Sequence, residues 1–252
     1  MSRALPALIA HRGASGYAPE NTAAAFELAL RMGAESAEFD VQQSRDGRLV
    51  VIHDDDLKRV AGVKRRVGAL TWLELSQLDV GSWFSAKFTD ERVPLLEDVL
   101  DLFEGKAELH LEIKQADRPY PGMVARVVEM LASRPQWDGK VLISSFHHDS
   151  LFEVRKLDRS ARLAYLVGLT RREVAMAESG ELACESINLS ARQVDAAWVR
   201  AAHAADRKLL VYTVNDPKEY ERLYNLGVDA VFTNFPDLGR LHREMAPGRT
   251  AP

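Results

Sequence analysis

Short apolar runs with strand character alternate with helix-period segments through almost the whole chain. Leu8-Ile9-Ala10 is the first such run, and later ones occupy residues 108–114, 141–146, 162–167, 186–190, 209–214 and 230–233. Helical periodicity covers residues 94–103, 122–133, 150–156, 172–179, 196–205 and 217–225. An earlier helix is predicted over residues 22–32, with Asn21 as its N-cap and Gly33 as its stop. Alternation of this kind points to a parallel sheet, because each parallel return needs a crossover.

Residues 38–43 and 49–52 break the alternation. Both are strand-like, yet the link between them is far shorter than a parallel crossover and carries Asp46-Gly47, a hairpin signal. The second run is therefore predicted to return antiparallel, bringing His53 back to the end of the sheet that carries Glu38 and Asp40. Setting residues 49–52 aside leaves eight parallel strands. Eight closes a (β/α)₈ barrel, and the chain reads as a single barrel domain over residues 1–252.

Residues 54–93 form a connection much longer than a barrel needs. It contains Thr71-Trp72-Leu73-Glu74-Leu75, a short capped helix, and then Gly81-Ser82-Trp83-Phe84. The stretch reads as an insertion over the C-terminal rim of the barrel, with Trp72, Trp83 and Phe84 in its own core. Residues 245–252 read as a frayed tail.

Composition narrows the function. Of 252 residues, 33 are Lys or Arg and 37 are Asp or Glu, a net charge of −4. That balance disfavours a nucleic-acid partner. It suits a small anionic substrate only where cations or a metal gather locally. The hydrophobic fraction of 46% is enough for a sizeable core. One cysteine, Cys184, excludes an intrachain disulfide framework. The first ten residues lack a signal-peptide core, and no apolar stretch is long enough to span a membrane. A cytoplasmic protein without a membrane anchor is expected.

Candidate chemistry gathers in the first half of the chain. His11 and Arg12 close the first strand, where a parallel barrel carries its active face. Gly13 is expected to let the backbone approach a ligand closely. Glu38 and Asp40 are two apart on a strand and so share a face. A solvent-facing stripe would look the same. His110, Glu112 and Lys114 repeat that spacing, which places charge at the barrel mouth and His110 one layer deeper. Glu38, Asp40 and Glu112 suit a hard divalent cation, while no thiolate or close histidine pair points to zinc. His53 ends an apolar strand, and Asp54, Asp55 and Asp56 follow it, able to orient the imidazole or raise its pKa. Glu20 and Asn21, just after the first loop, read as supporting the site. His147, His148, His203 and His242 read as surface or structural. Two histidines, an arginine and paired carboxylates are equipment for metal-assisted cleavage of a phosphate ester.

These residues carry a resemblance. The chain resembles the glycerophosphodiester phosphodiesterases through His11-Arg12-Gly13, Pro19-Glu20-Asn21-Thr22, Glu38-Phe39-Asp40-Val41, Asp46-Gly47, Val51-Ile52-His53-Asp54 and Glu112-Ile113-Lys114. Weaker similarity runs on through Val93-Pro94-Leu95-Leu96-Glu97-Asp98-Val99-Leu100, Ser145-Phe146 and Tyr212-Thr213-Val214-Asn215. The resemblance implies a (β/α)₈ barrel with an insertion, and hydrolysis of glycerophosphodiesters to sn-glycerol 3-phosphate and an alcohol. It implies one divalent cation, Mg²⁺ or Ca²⁺, on Glu38, Asp40 and Glu112. His11 and His53 become the acid–base pair, assigned as acid and base respectively. Arg12 and Lys114 hold phosphate charge, and Phe146 and Tyr212 border the substrate pocket. Tyr212 stands where tryptophan is frequent. Asn234 stands where aspartate is expected in many relatives, a departure expected to touch only a peripheral contact. Three other readings stay open on sequence: a related phosphodiesterase acting on lysophospholipids, a non-catalytic binding barrel, and an aldolase or isomerase using Lys114 as a Schiff base.

Overall fold

A computed structural model describes residues 5–117 and 119–245. Of the expected tail at 245–252, all but the first residue lies outside the described residues. The parallel strands are β1 (Ala7–His11), β2 (Ser36–Gln43), β4 (Glu108–Ile113), β5 (Val141–Ser145), β6 (Arg162–Leu166), β7 (Ser186–Ser190), β8 (Lys208–Tyr212) and β9 (Ala230–Thr233). They follow one another around the sheet, and pairing of β1 with both β9 and β2 closes it into an eight-stranded barrel. Helices α1 (Ala23–Arg31), α4 (Leu96–Phe103), α5 (Met123–Ala132), α6 (His148–Leu157), α7 (Arg172–Glu181), α8 (Ala196–Ala204), α9 (Pro217–Leu226) and α10 (Leu238–Met245) alternate with them.

Strand side chains alternate between two cores. Outward residues such as Phe39, Val41, Leu109, Leu111 and Ile143 pack against the helices in one large apolar cluster. Inward Ile9, Leu210, Ala230 and Phe232 form a small plug beneath the barrel mouth. His110 lies at that depth, edge-on to Phe232 at 5.4 Å, in keeping with its spacing from Glu112.

The predicted hairpin is present. β3 (Leu49–Val51) runs antiparallel to β2, with Val41 opposite Val51 and Gln43 opposite Leu49. β2 is long enough to overrun β1, so its outer end is free to accept β3. The Ile52 amide then donates to the Asp40 carbonyl at 2.9 Å, which delivers His53 beside Asp40. Residues 94–95, expected to begin a helix, instead extend along β3. The Val51 amide donates to the Pro94 carbonyl, and α4 starts only at Leu96.

One expectation around α1 is corrected. Its N-cap is Thr22, whose Oγ1 accepts the Ala25 amide, not Asn21. Asn21 sits in the left-handed region at φ 57°, with its side chain turned to β2. Gly13 also packs closely against α1. Its φ is +81°, and a Cβ there would stand 2.7 Å from the Ala25 carbonyl carbon. Only glycine lets this loop lie against α1.

Residues 54–93 contribute α2 (Lys58–Ala61) and α3 (Trp72–Leu75), the latter closed by the predicted capping box of Thr71 and Glu74. Leu57, Val60, Val67, Leu70 and Leu75 bury with Val50 and Ile52 in a second apolar cluster, and Trp72 packs on its margin. Trp83 is not core: it is 41% exposed, its indole nitrogen donates to the Val80 carbonyl, and its ring faces the Arg59 guanidinium. Phe84 is half-buried edge-on against it.

Candidate active site

β1 ends at His11 in register with Glu38, so the first loop leaves the barrel beside the inward carboxylates of β2. Arg12 takes the left-handed backbone at φ 55°, as Asn21 does nine positions on, and the Asn21 amide donates to the Arg12 carbonyl. Such backbone costs about 1–3 kcal/mol per non-glycine residue. The contacts it permits offset that cost. The Arg12 amide donates to Glu38 Oε2 at 3.0 Å, and Asn21 Nδ2 donates to Asp40 Oδ2 at 2.9 Å. The Arg12 guanidinium donates to Glu20 Oε1 at 2.9 Å and lies 3.2 Å from Asp40. Glu20 and Asn21 thus contact Arg12 and Asp40 directly.

Glu38, Asp40 and Glu112 converge inside the barrel mouth. Asp40 is in register with Glu112, all three are buried, and one carboxylate oxygen from each lies within 4.8 Å of the others. Asp40 Oδ1 is buried without a hydrogen-bond donor. Burial, and then the charge of Asp40, push Glu38 well above the usual carboxylate range and Glu112 up to about 7. Burial works the same way on Asp40, but Arg12, Lys114 and His53 outweigh it and hold its carboxyl low. A buried set of hard oxygen donors that repel one another fits a hard divalent cation. Lys114 Nζ sits 2.9 Å from Glu112 and 3.6 Å from Asp40. Against the desolvation that opposes its charge, these carboxylates raise its pKa. The Lys114 ammonium is thereby held between two carboxylates at the barrel mouth.

The two histidines come from the end of β1 and from the loop after β3, and are held alike. His11 Nδ1 donates to Asn234 Oδ1 at 2.8 Å, and His53 Nδ1 donates to Asp54 Oδ1 at 2.6 Å. In both, Nε2 remains for chemistry. Gln42 Nε2 lies 2.9–3.0 Å from the carbonyls of Ile52, His53 and Asp54, which pins the backbone that presents His53. Burial lowers His11 to about 4, with Arg12 adding to the effect. Burial also lowers His53, against the pull of Asp40 and of the hydrogen bond to Asp54. The acidic run after His53 is able to raise it, and Asp54 does act in that direction. Burial and the neighbouring cations Arg12 and Lys114 win.

A cavity of about 220 Å³ is lined by His11, Arg12, Glu38, His53 and Glu112, with Phe146 and Tyr212 among its walls. Those two rings meet edge-on at 6.0 Å. A wider groove of about 780 Å³ shares His53 and is bordered by Lys114, Asp54 and Arg59. The residues singled out in the sequence therefore gather around one mouth. Asn234 is not peripheral, since it contacts His11 directly, and the Asn234 amide in turn donates to Asn215 Oδ1 at 2.9 Å. Ser144 and Asn188, both buried on inward strand positions, line the cavity, though nothing in the motifs points to them. The same holds for Arg59, which ties Glu20 to Asp54 from α2. Alternation within β5 and β7 marks the first two as inward, but no spacing marks Arg59.

Known proteins share this arrangement of barrel and loops. The model of the glycerophosphoryl diester phosphodiesterase family matches residues 11–238. A glycerophosphodiester phosphodiesterase of Bacillus altitudinis is 36% identical over 239 residues, covering 91% of this chain and 95% of its own. One from Bacillus subtilis is 34% identical over 250 residues, covering 91% of this chain and 84% of its own. Among solved structures, an Oleispira antarctica phosphodiesterase in complex with the product sn-glycerol-3-phosphate superposes with a TM-score of 0.84 at 31% identity, over 95% of this chain and 97% of that one. Barrel, mouth and sequence agree, and the chain belongs to the glycerophosphoryl diester phosphodiesterase family.

Proposed function

We propose that the chain hydrolyses glycerophosphodiesters to sn-glycerol 3-phosphate and an alcohol, with His11 and His53 as the acid–base pair. One observation carries this reading: two histidines, one ending β1 and one in the loop after β3, each with Nδ1 engaged, line one cavity beside three buried carboxylates. Glu38, Asp40 and Glu112 would hold the divalent cation, Mg²⁺ or Ca²⁺, which would supply charge neutralisation at the phosphate. Arg12 and Lys114 bind phosphate oxygens where the cavity meets the groove. The glycerol moiety lies against Phe146 and Tyr212, and the departing alcohol leaves through the groove. His53 takes the proton of the nucleophile, either water or a neighbouring glycerol hydroxyl whose cyclic phosphate water then opens, because Asp54 stabilises the imidazolium that forms. His11 protonates the leaving alkoxide. Its neutral partner Asn234 adds no charge, and an anionic phosphate beside it favours the protonated ring. The test is a panel of glycerophosphodiesters assayed for glycerol 3-phosphate with either cation. No release from any member would overturn the reading. Among the described residues no helix is long and apolar enough to cross a membrane.

The carboxylates also set a stability test. Glu112 carries a folded pKa of about 7 against an ordinary 4.5. Without a cation, its favourable contribution is complete below about pH 4.5 and is lost as pH rises towards 7. A bound cation requires the ionised form, so its stabilisation grows over the same window. Mg²⁺ or Ca²⁺ should therefore raise the melting temperature more at pH 8 than at pH 5. An equal rise at both pH values would place the cation elsewhere.

A further inference from the structure

Five side chains, from the phosphate-binding arginine to the base, form one unbroken hydrogen-bonded chain, and its centre belongs to residues 54–93. Arg59 NH1 and NH2 donate to the two oxygens of Glu20 at 2.9 and 2.7 Å. Arg59 Nε donates to Asp54 Oδ2 at 2.7 Å. Beyond Glu20 stands Arg12 at 2.9 Å, and beyond Asp54 stands His53 at 2.6 Å. Arg59 itself is anchored by its neighbours, with Leu57 and Val60 buried in the second apolar cluster and the Trp83 ring 5.4 Å from the guanidinium.

We propose that Arg59 is a positioning residue, whose single guanidinium sets His53 through Asp54 and Arg12 through Glu20. The inference rests on the function proposed above. A planar fork suits this geometry, because two parallel donors fix the Glu20 carboxylate while the third donor, in the same plane, fixes Asp54. Without it, Asp54 is free to rotate away and release the His53 tautomer. Glu20, no longer shared, draws on Arg12 alone. Lysine cannot substitute fully, since an ammonium is a point charge with no fork geometry. The Arg59 side chain is 41% exposed, so its ion pairs contribute little to folding.

The experiment compares the parent with Arg59→Ala, Arg59→Lys, Asp54→Asn and Arg59→Ala combined with Asp54→Asn, assayed with Mg²⁺ or Ca²⁺ present. Misplacement of reacting groups by an ångström is worth about 100-fold. Arg59→Ala should therefore lose on the order of 10- to 100-fold in kcat, with a much smaller rise in KM, and added guanidinium ion should restore part of it. The double variant should lose little more than the worse single one. Arg59→Lys should fall between parent and alanine, and it decides the matter where the alanine variant fails to fold. Parental kcat in Arg59→Lys, or fully additive losses in the double variant, would overturn the proposal. Imidazole ¹⁵N shifts read the His53 tautomer independently of turnover. They should report an Nδ1–H ring in the parent and a tautomer mixture in the Arg59 variants; an unchanged tautomer would also overturn it. An inert parent would refute the proposed reaction, while the shifts would still decide the role of Arg59.

Discussion

Replacing His53 with alanine should lower kcat by about 10²- to 10⁴-fold, the usual contribution of a general acid or base. The imidazole is presented at the mouth of the barrel, not within a packed core. Its side chain is 30% exposed, its Nδ1 is occupied by Asp54, and its backbone is held by Gln42. Truncation opens no apolar cavity, so the melting temperature should move by no more than a few degrees. KM should change far less than kcat, because Arg12 and Lys114 still hold the phosphate. His11→Ala, which also removes the hydrogen bond to Asn234, should behave in the same way. The measurements are kcat, KM and melting temperature of each variant beside the parent. Near-parental kcat in His53→Ala would remove that histidine from the mechanism. Loss of activity that follows unfolding step by step would make it a structural histidine instead.

Exhaustive chelation should abolish turnover, and Mg²⁺ or Ca²⁺ should restore it. The reason is electrostatic. Glu38, Asp40 and Glu112 are buried together, and burial with mutual repulsion pushes two of the three towards protonation. Arg12 and Lys114 offset part of that repulsion, chiefly at Asp40. A dication among hard oxygen ligands answers the remainder. Asp40→Asn keeps the shape of the side chain but removes a ligand charge. It should lose more than about 100-fold in turnover, since even the hydrogen-bond partners of metal ligands are worth 10–100-fold. It should also weaken the cation-induced rise in melting temperature. Full turnover in the chelated, dialysed protein would sink the metal assignment, whatever the fate of Asp40→Asn.

The legible parts of this site are those in which chemistry follows local period. Glu38 and Asp40 share a face because successive strand residues point to opposite sides. His110 falls beneath Glu112 for the same reason. The Asp46-Gly47 link is too short for a crossover, and that alone returns His53 to the carboxylates. Local chemistry misleads where a distant neighbour decides. Asn21 and Thr22 are both good caps, and Thr22 takes the position because Asn21 is needed at Asp40. Trp83 suggests a core, yet its ring faces a guanidinium at the surface.

By itself the sequence determined the barrel, its antiparallel hairpin and the shared face of Glu38 and Asp40, because period and turn chemistry act over a few neighbouring residues. Only the tertiary structure decided how the site is held. His11 finds Asn234 across 223 positions, because closure of the barrel sets β1 beside β9. Arg59 reaches Glu20 across 39 positions, because the second apolar cluster anchors α2 beside the first loop. Neither contact has a period or a motif to announce it. Each joins side chains whose separation depends on how the strands and the insertion pack around them.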